Sequence, residues 1–217
     1  MELEELPVRT RRRRRRRGVP RGICLLAAAA LLAGAFQIGR MVGCSEAGRQ
    51  ADHVSAPEWV TVDLLPLNEW SRPGTPLEQV NGIVIHYVGN PNTTAEQNHS
   101  YFANLAETHE TYASSHFLIG MDGTILQNVP LDEWAYCSNQ RNEDTISIEC
   151  CHPDEEGAFT QDTYDALVKL TRWLMETYEL EREDVIRHYD VTGKECPRYF
   201  VAHPEEWEAF LDRLSPA

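Results

Sequence analysis

Eighteen residues without a charge, Gly22 to Gly39 (GICLLAAAALLAGAFQIG), directly follow an arginine-rich segment that includes Arg11 to Arg17 unbroken. As a helix rising ~1.5 Å per residue, that stretch spans ~27 Å, close to the ~30 Å hydrocarbon thickness of a bilayer. Arginine on one side sets the orientation, with the N-terminus in the cytoplasm and the remainder outside. The chain therefore divides into a cytoplasmic Arg-rich tail (1–21), one transmembrane helix (22–39), a small and polar linker (40–56) and a folded domain (57–217). The expected location is the cell membrane, single-pass, with the domain outside. Ala33-Gly34-Ala35 leaves a cleaved signal peptide and a secreted product as the alternative.

Charge follows the same division. Residues 1–50 hold eleven arginines and four glutamates, so residues 51–217 hold nine basic and thirty acidic residues, net −21. An acidic domain gains nothing from a phosphate backbone, which argues against nucleic acid as a partner. Six cysteines in 217 residues do not make a disulfide scaffold. The expected state is a monomer.

The folded part alternates strand and helix signals. Ile83 to Tyr87 is a β-branched run between Asn81-Gly82 and Gly89-Asn90-Pro91, and reads as a buried strand. Thr93 or Thr94 can cap a helix reaching about Thr108. His116 to Gly120 and Thr124 to Val129 flank Asp122-Gly123, the pattern of a hairpin. Thr145 to Cys151 reads as another strand. Thr160 caps a helix in which Tyr164, Leu167, Leu170, Thr171, Leu174 and Tyr178 recur at three and four residues. Asp184 to Arg187 is short and extended, and Pro204 to Leu214 is an amphipathic helix. The expected fold class is α/β, a single mixed central β-sheet flanked by helices, preceded by the transmembrane helix.

The chemistry-bearing residues concentrate in Arg187 to Pro197 (RHYDVTGKECP), with His188, Lys194 and Cys196, and in the strand residue His86. Two imidazoles and a thiolate are good zinc ligands, and three protein ligands leave a fourth position open, as catalytic zinc requires. Singly each is weak: a histidine on an apolar strand is more often a core residue, and a cysteine before proline more often a buried thiol. Spacing alone also leaves His116 and His152 open as ligands. Glu149 lies in Ser147-Ile148-Glu149-Cys150, where an inward carboxylate is costly unless paired or employed.

Four blocks, Asn81 to Tyr87, Ser114 to Ser138, Asn142 to Thr160 and Arg187 to Phe200, resemble the type 2 N-acetylmuramoyl-L-alanine amidases. That group includes amidase-type phage lysozymes and peptidoglycan recognition proteins. The resemblance covers roughly residues 57–214 and implies peptidoglycan as partner. It implies zinc-dependent hydrolysis of the amide between the lactyl group of N-acetylmuramic acid and L-alanine of the stem peptide. It assigns His86, His188 and Cys196 to the metal and the loop lysine to Lys194. Lys194 would stabilise the oxyanion, and Glu149 is the candidate to take and return the proton. Some phage members use a tyrosine just before the position of His116; this chain has Ser115 there, which places more weight on Glu149. His116, Asn90 and Arg141 are expected to line the cleft and contact substrate, with Asn139 and Asn142 nearby, whereas Trp134 is expected in the core. Cys151 shares strand parity with Glu149, and Cys137 lies in a loop that resembles a cleft-bordering one, so a Cys137–Cys151 bridge tying the two together is a further expectation. The competing readings are a non-catalytic peptidoglycan receptor on the same fold and a zinc peptidase acting within the stem peptide. Receptors of that kind typically lack the cysteine, so Cys196 favours an enzyme.

Overall fold

The computed structural model describes residues 54–214. The Arg-rich tail, the 22–39 segment, most of the 40–56 linker, Cys24 and Cys44 lie outside the described residues. Among the described residues no helix is long and apolar enough to cross a membrane.

Six strands form one mixed sheet: β1 (Thr61–Val62), β2 (Gly82–Tyr87), β3 (Phe117–Ile119), β4 (Ile125–Gln127), β5 (Thr145–Cys150) and β6 (Val185–Arg187). Their spatial order is β1-β4-β3-β5-β2-β6. Only the β3–β4 hairpin is antiparallel; β5–β2, β2–β6, β3–β5 and β1–β4 are parallel. The mixed central sheet and its flanking helices agree with the expected class. The two edge strands are the short β1 and β6, which offer little free backbone for another chain to pair with.

Alternation along the strands separates two layers. Ile83 and Ile85 of β2, Ile146 and Ile148 of β5, and Phe117 and Ile119 of β3 share one fully buried face. Two helices cover it: α2 (Gln161–Tyr178), through Leu167, Leu170 and Leu174, and α5 (Pro204–Leu214), through Trp207, Phe210 and Leu214. At ~1.5–3 kcal/mol for each large apolar side chain removed from water, this layer supplies most of the drive to fold. The opposite face carries Leu118 and Leu126 under α1 (Ala95–Thr108), which seats Ala95, Phe102 and Leu105 there. Thr94 starts α1 with a reciprocal capping box to Gln97. Gly82 opens β2 because a Cβ there would stand 2.7 Å from the Asp184 carbonyl oxygen.

Two short helices escaped the periodicity argument, α3 (His188–Thr192) and α4 (Arg198–Ala202). His188 therefore begins a helix instead of sitting in a loop. Five residues are too few for a helical period to register. Arg187 holds the pair together: its guanidinium bonds both Asp190 carboxylate oxygens and the Phe200 carbonyl. Trp134 packs partly buried against the larger core cluster, as expected.

Candidate active site

The site forms where parallel strands end. β2 and β5 pair in a register that sets His86 beside Glu149. β6 lies on the other side of β2, with Arg187 beside Ile85, so His188 follows the edge strand into the same neighbourhood. On this face β5 presents Thr145, Ser147 and Glu149, the polar half of its alternation. Open α/β sheets bind their ligands at such carboxyl ends.

Three donors converge there. Nδ1 of His86 lies 3.1 Å from Nδ1 of His188 and 3.8 Å from Sγ of Cys196. Tetrahedral zinc, with bonds of ~2.0 Å to nitrogen and ~2.3 Å to sulfur, needs ligand separations of ~3.3 and ~3.5 Å. The three residues are buried. Their outward nitrogens are also spoken for. His86 Nε2 lies 3.1 Å from Ser138 Oγ, and His188 Nε2 lies 2.9 Å from Asn139 Oδ1. Asn139 Oδ1 can only accept, so it keeps the His188 proton on Nε2 and turns that Nδ1 lone pair inward, and Ser138 Oγ is able to accept the Nε2 proton of His86 in the same way. The donor set and its outer partners therefore fit zinc.

The electrostatics point the same way. Burial first, then His188 and Lys194, holds the His86 pKa well below the ordinary value, so the ring is neutral. Burial and Lys194 also lower that of His188. Burial pushes the Cys196 thiol up to about 12, Glu149 adds to the rise, and a Tyr87 backbone hydrogen bond and Lys194 oppose it. Such a thiol binds metal by giving up its proton, so affinity must rise with pH.

Glu149 stands beside this cluster on a central strand, not an edge. One carboxylate oxygen, Oε1, accepts from the Cys137 thiol at 3.6 Å. The other, Oε2, is enclosed and has no partner among the described residues. Burial raises the Glu149 pKa to about 8, against the opposing pull of Lys194 and Cys137. The residue is half-buried as a whole, but the carboxylate is its enclosed end. An exposed Lys194 reaches the same cleft.

The cleft measures about 370 Å³ and is lined by His86, His188, Glu149, Lys194, Cys137, Asn139, Asn142 and an aromatic wall of Phe102, Tyr112 and Tyr136. A larger depression of about 1220 Å³, bordered by Trp134 and Asp144, holds none of the metal-site residues. Tyr112 and Tyr136 were not anticipated, because they lie in segments without helical or strand period. Ser138 was missed for the same reason.

Several anticipated contacts fall elsewhere. His116 is buried away from the cleft: its Nδ1 accepts from the Ser147 backbone N–H, and its Nε2 meets the Glu133 carbonyl. Desolvation drives its pKa down to about 4. Both ring nitrogens of His152 meet carbonyls, those of Val88 and Asp154, which removes it as a ligand. Asn90 is exposed beside the start of α1, where its carbonyl accepts from Thr93. Arg141 pairs with Asp144 at 2.7 Å instead of facing the cleft. The anticipated Cys137–Cys151 bridge is not made, and both thiols are free. Cys151 lies past the end of β5 under α1, taking a contact from Asn98, while Cys137 faces Glu149.

A mixed sheet that gathers two histidines, a cysteine and a carboxylate near its strand ends is compatible with a metal site in an α/β domain. Residues 76–199 match the family model described as N-acetylmuramoyl-L-alanine amidase, and the chain belongs to that family. Among curated relatives, the N-acetylmuramoyl-L-alanine amidase BlyA of Bacillus subtilis (strain 168) is 29% identical over 175 residues, covering 71% of this chain and 46% of its own length. CwlH of the same organism, also an N-acetylmuramoyl-L-alanine amidase, is 30% identical over 159 residues, covering 70% of this chain and 60% of its own. The chain thus spans about half the length of the curated relatives it matches. Among solved structures, PlyL superposes with a TM-score of 0.62 at 23% identity, over 72% of this chain and 97% of that one. The catalytic domain of XlyA gives 0.60 at 24%, over 72% and 99%. At that identity the likeness concerns the fold.

Proposed function

We propose that this protein hydrolyses the amide between the lactyl group of N-acetylmuramic acid and L-alanine in peptidoglycan, with zinc held by His86, His188 and Cys196. The observation that carries the reading is the convergence of His86 Nδ1, His188 Nδ1 and Cys196 Sγ beside the unpartnered Oε2 of Glu149. Family membership supports the substrate class.

Zinc, when bound, supplies a Lewis acid for the scissile carbonyl and acidifies water. Next to a dication the carboxylate form of Glu149 is favoured despite its burial. Oε2 then accepts a proton from the attacking water and returns it to the departing nitrogen. The C–N bond breaks and a C–O bond forms, leaving a lactyl carboxylate and a free N-terminal alanine. Lys194 sits where its ammonium can balance the charge that develops on the carbonyl oxygen. Phe102, Tyr112 and Tyr136 form an aromatic wall on one side of the cleft.

The direct test is release of new N-terminal alanine from purified cell wall. Release abolished by a chelator and restored by zinc supports the reading; a zinc-loaded protein that binds wall and releases none points to a receptor. We further propose that residues 22–39 anchor the chain in the cell membrane with the domain outside. Support comes from their length, their lack of charge and the arginines before them.

A further inference from the structure

We propose that Asn142 is the positioning residue of this centre, folding the loop before it so that three consecutive side chains orient three different members of the site. The proposal rests on the zinc assignment above.

The loop runs from Cys137 to Asn142. Its three leading side chains point to three targets. The Cys137 thiol meets Glu149 Oε1 at 3.6 Å, the Ser138 hydroxyl meets His86 Nε2 at 3.1 Å, and the Asn139 carboxamide oxygen meets His188 Nε2 at 2.9 Å. Consecutive side chains of an extended strand point to opposite faces, so three in a row cannot converge on one centre without a tight fold. Asn142 supplies it. Its Oδ1 accepts from the backbone N–H of Ser138 at 2.6 Å and of Cys137 at 3.1 Å. Two backbone donors on one side-chain oxygen staple the turn closed.

The backbone shows the result. Asn139 adopts φ 53°, the left-handed region, which asparagine tolerates better than most residues. Around it, Arg141 N–H bonds the Ser138 carbonyl and Asn142 N–H bonds that of Asn139. The Arg141–Asp144 pair and the Thr145 hydroxyl on the Arg141 carbonyl fasten the loop to the start of β5. Asn142 thus links the outer hydrogen bonds of two metal ligands to the orientation of one carboxylate, without itself contacting a ligand nitrogen. Outer partners of metal ligands are commonly worth 10–100-fold in affinity.

The test uses the full-length protein and reads zinc affinity, by competition with a chromophoric chelator, apart from kcat and KM for alanine release at saturating zinc. Asn142→Ala is expected to weaken zinc binding about 10–100-fold and to lower kcat with little change in KM. Asn142→Asp keeps the accepting oxygen and is expected to recover most of both losses. Ser138→Ala and Asn139→Gly should weaken zinc more than they lower kcat, and Cys137→Ala should do the reverse. Zinc affinity of Asn142→Ala within twofold of wild type overturns the proposal, as does an Asp variant no better than the Ala variant. If Asn142→Ala does not fold, the Ser138→Ala/Asn139→Gly double variant decides, and wild-type zinc affinity there overturns it. A wild-type protein that binds no zinc, or that releases no alanine, brings down the functional reading as well. A zinc-binding, active wild type beside an unaffected Asn142→Ala defeats this inference alone.

Discussion

Replacing Glu149 by glutamine should separate function from stability, in opposite directions. In the metal-free protein the carboxyl group titrates at about 8 instead of 4.5. An acid raised in this way keeps its proton in the folded state while the unfolded chain has already released it. Stability is therefore unaffected below about pH 4.5, falls as pH rises from there to about 8, and is level above that. At pH 7 the gap of 2.5 units to the unfolded value is worth about 3 kcal/mol at ~1.4 kcal/mol per unit. That is an upper bound, since water at the cleft mouth screens part of it. Glutamine keeps the shape and cannot ionise, so metal-free Glu149→Gln should be more stable than wild type at pH 7, by up to about 3 kcal/mol. The gain should disappear near pH 4.5. With zinc restored, the same variant should lose about 10²–10⁴-fold in kcat, the usual worth of a positioned base. Denaturant melts of chelated protein at several pH values, paired with alanine-release kinetics, measure both. Near-normal turnover would refute the catalytic role, and a stability difference independent of pH would refute the electrostatic argument.

Further outcomes follow from the same geometry. Cys196→Ser should leave the fold intact but lower bound zinc and activity together, seen by metal analysis of the dialysed protein. Lys194→Met should cut kcat about 10²–10³-fold while zinc content stays at the wild-type level, as loss of one oxyanion partner does. His116 has a lowered pKa, so its contribution is present above the ordinary value of 6.5 and is lost as pH falls towards about 4. Relative to His116→Gln, wild type should lose up to about 3 kcal/mol across that window, read as the change in their stability difference between denaturant melts at pH 7 and pH 4.5. The full chain should fractionate with membranes and a form lacking residues 22–39 should not, by immunoblot of membrane and medium.

How much of this was legible depends on how local each signal is. β2 declares itself because a β-branched run between turn residues is a local pattern. Glu149 stands out because a carboxylate on an otherwise apolar strand needs a reason. The meeting of His86, His188 and Cys196 is not local, since over a hundred residues separate the first from the others. The spacing allowed His116 and His152 equally well; strand register brings His86 and His188 together, and backbone groups occupy the ring nitrogens of the other two. His116 was misjudged because the backbone of Ser147 and the carbonyl of Glu133, which trap it, are distant in sequence. The disulfide expectation failed because parity along a strand fixes a face, not a position, and Cys151 lies one residue past the end of β5. Ser138 carries no sequence signal, and Asn139 only that of a polar residue in a loop; their use depends on the turn that Asn142 closes.

Zinc content and alanine release, measured on the same preparation before and after chelation, test the central claim most directly. The account predicts about one zinc per chain in a tetrahedral His–His–Cys site, activity that vanishes with the metal and returns with it, and neither property in Cys196→Ser. Full activity in a metal-free preparation, or an unchanged zinc complement without the Cys196 sulfur, would contradict it.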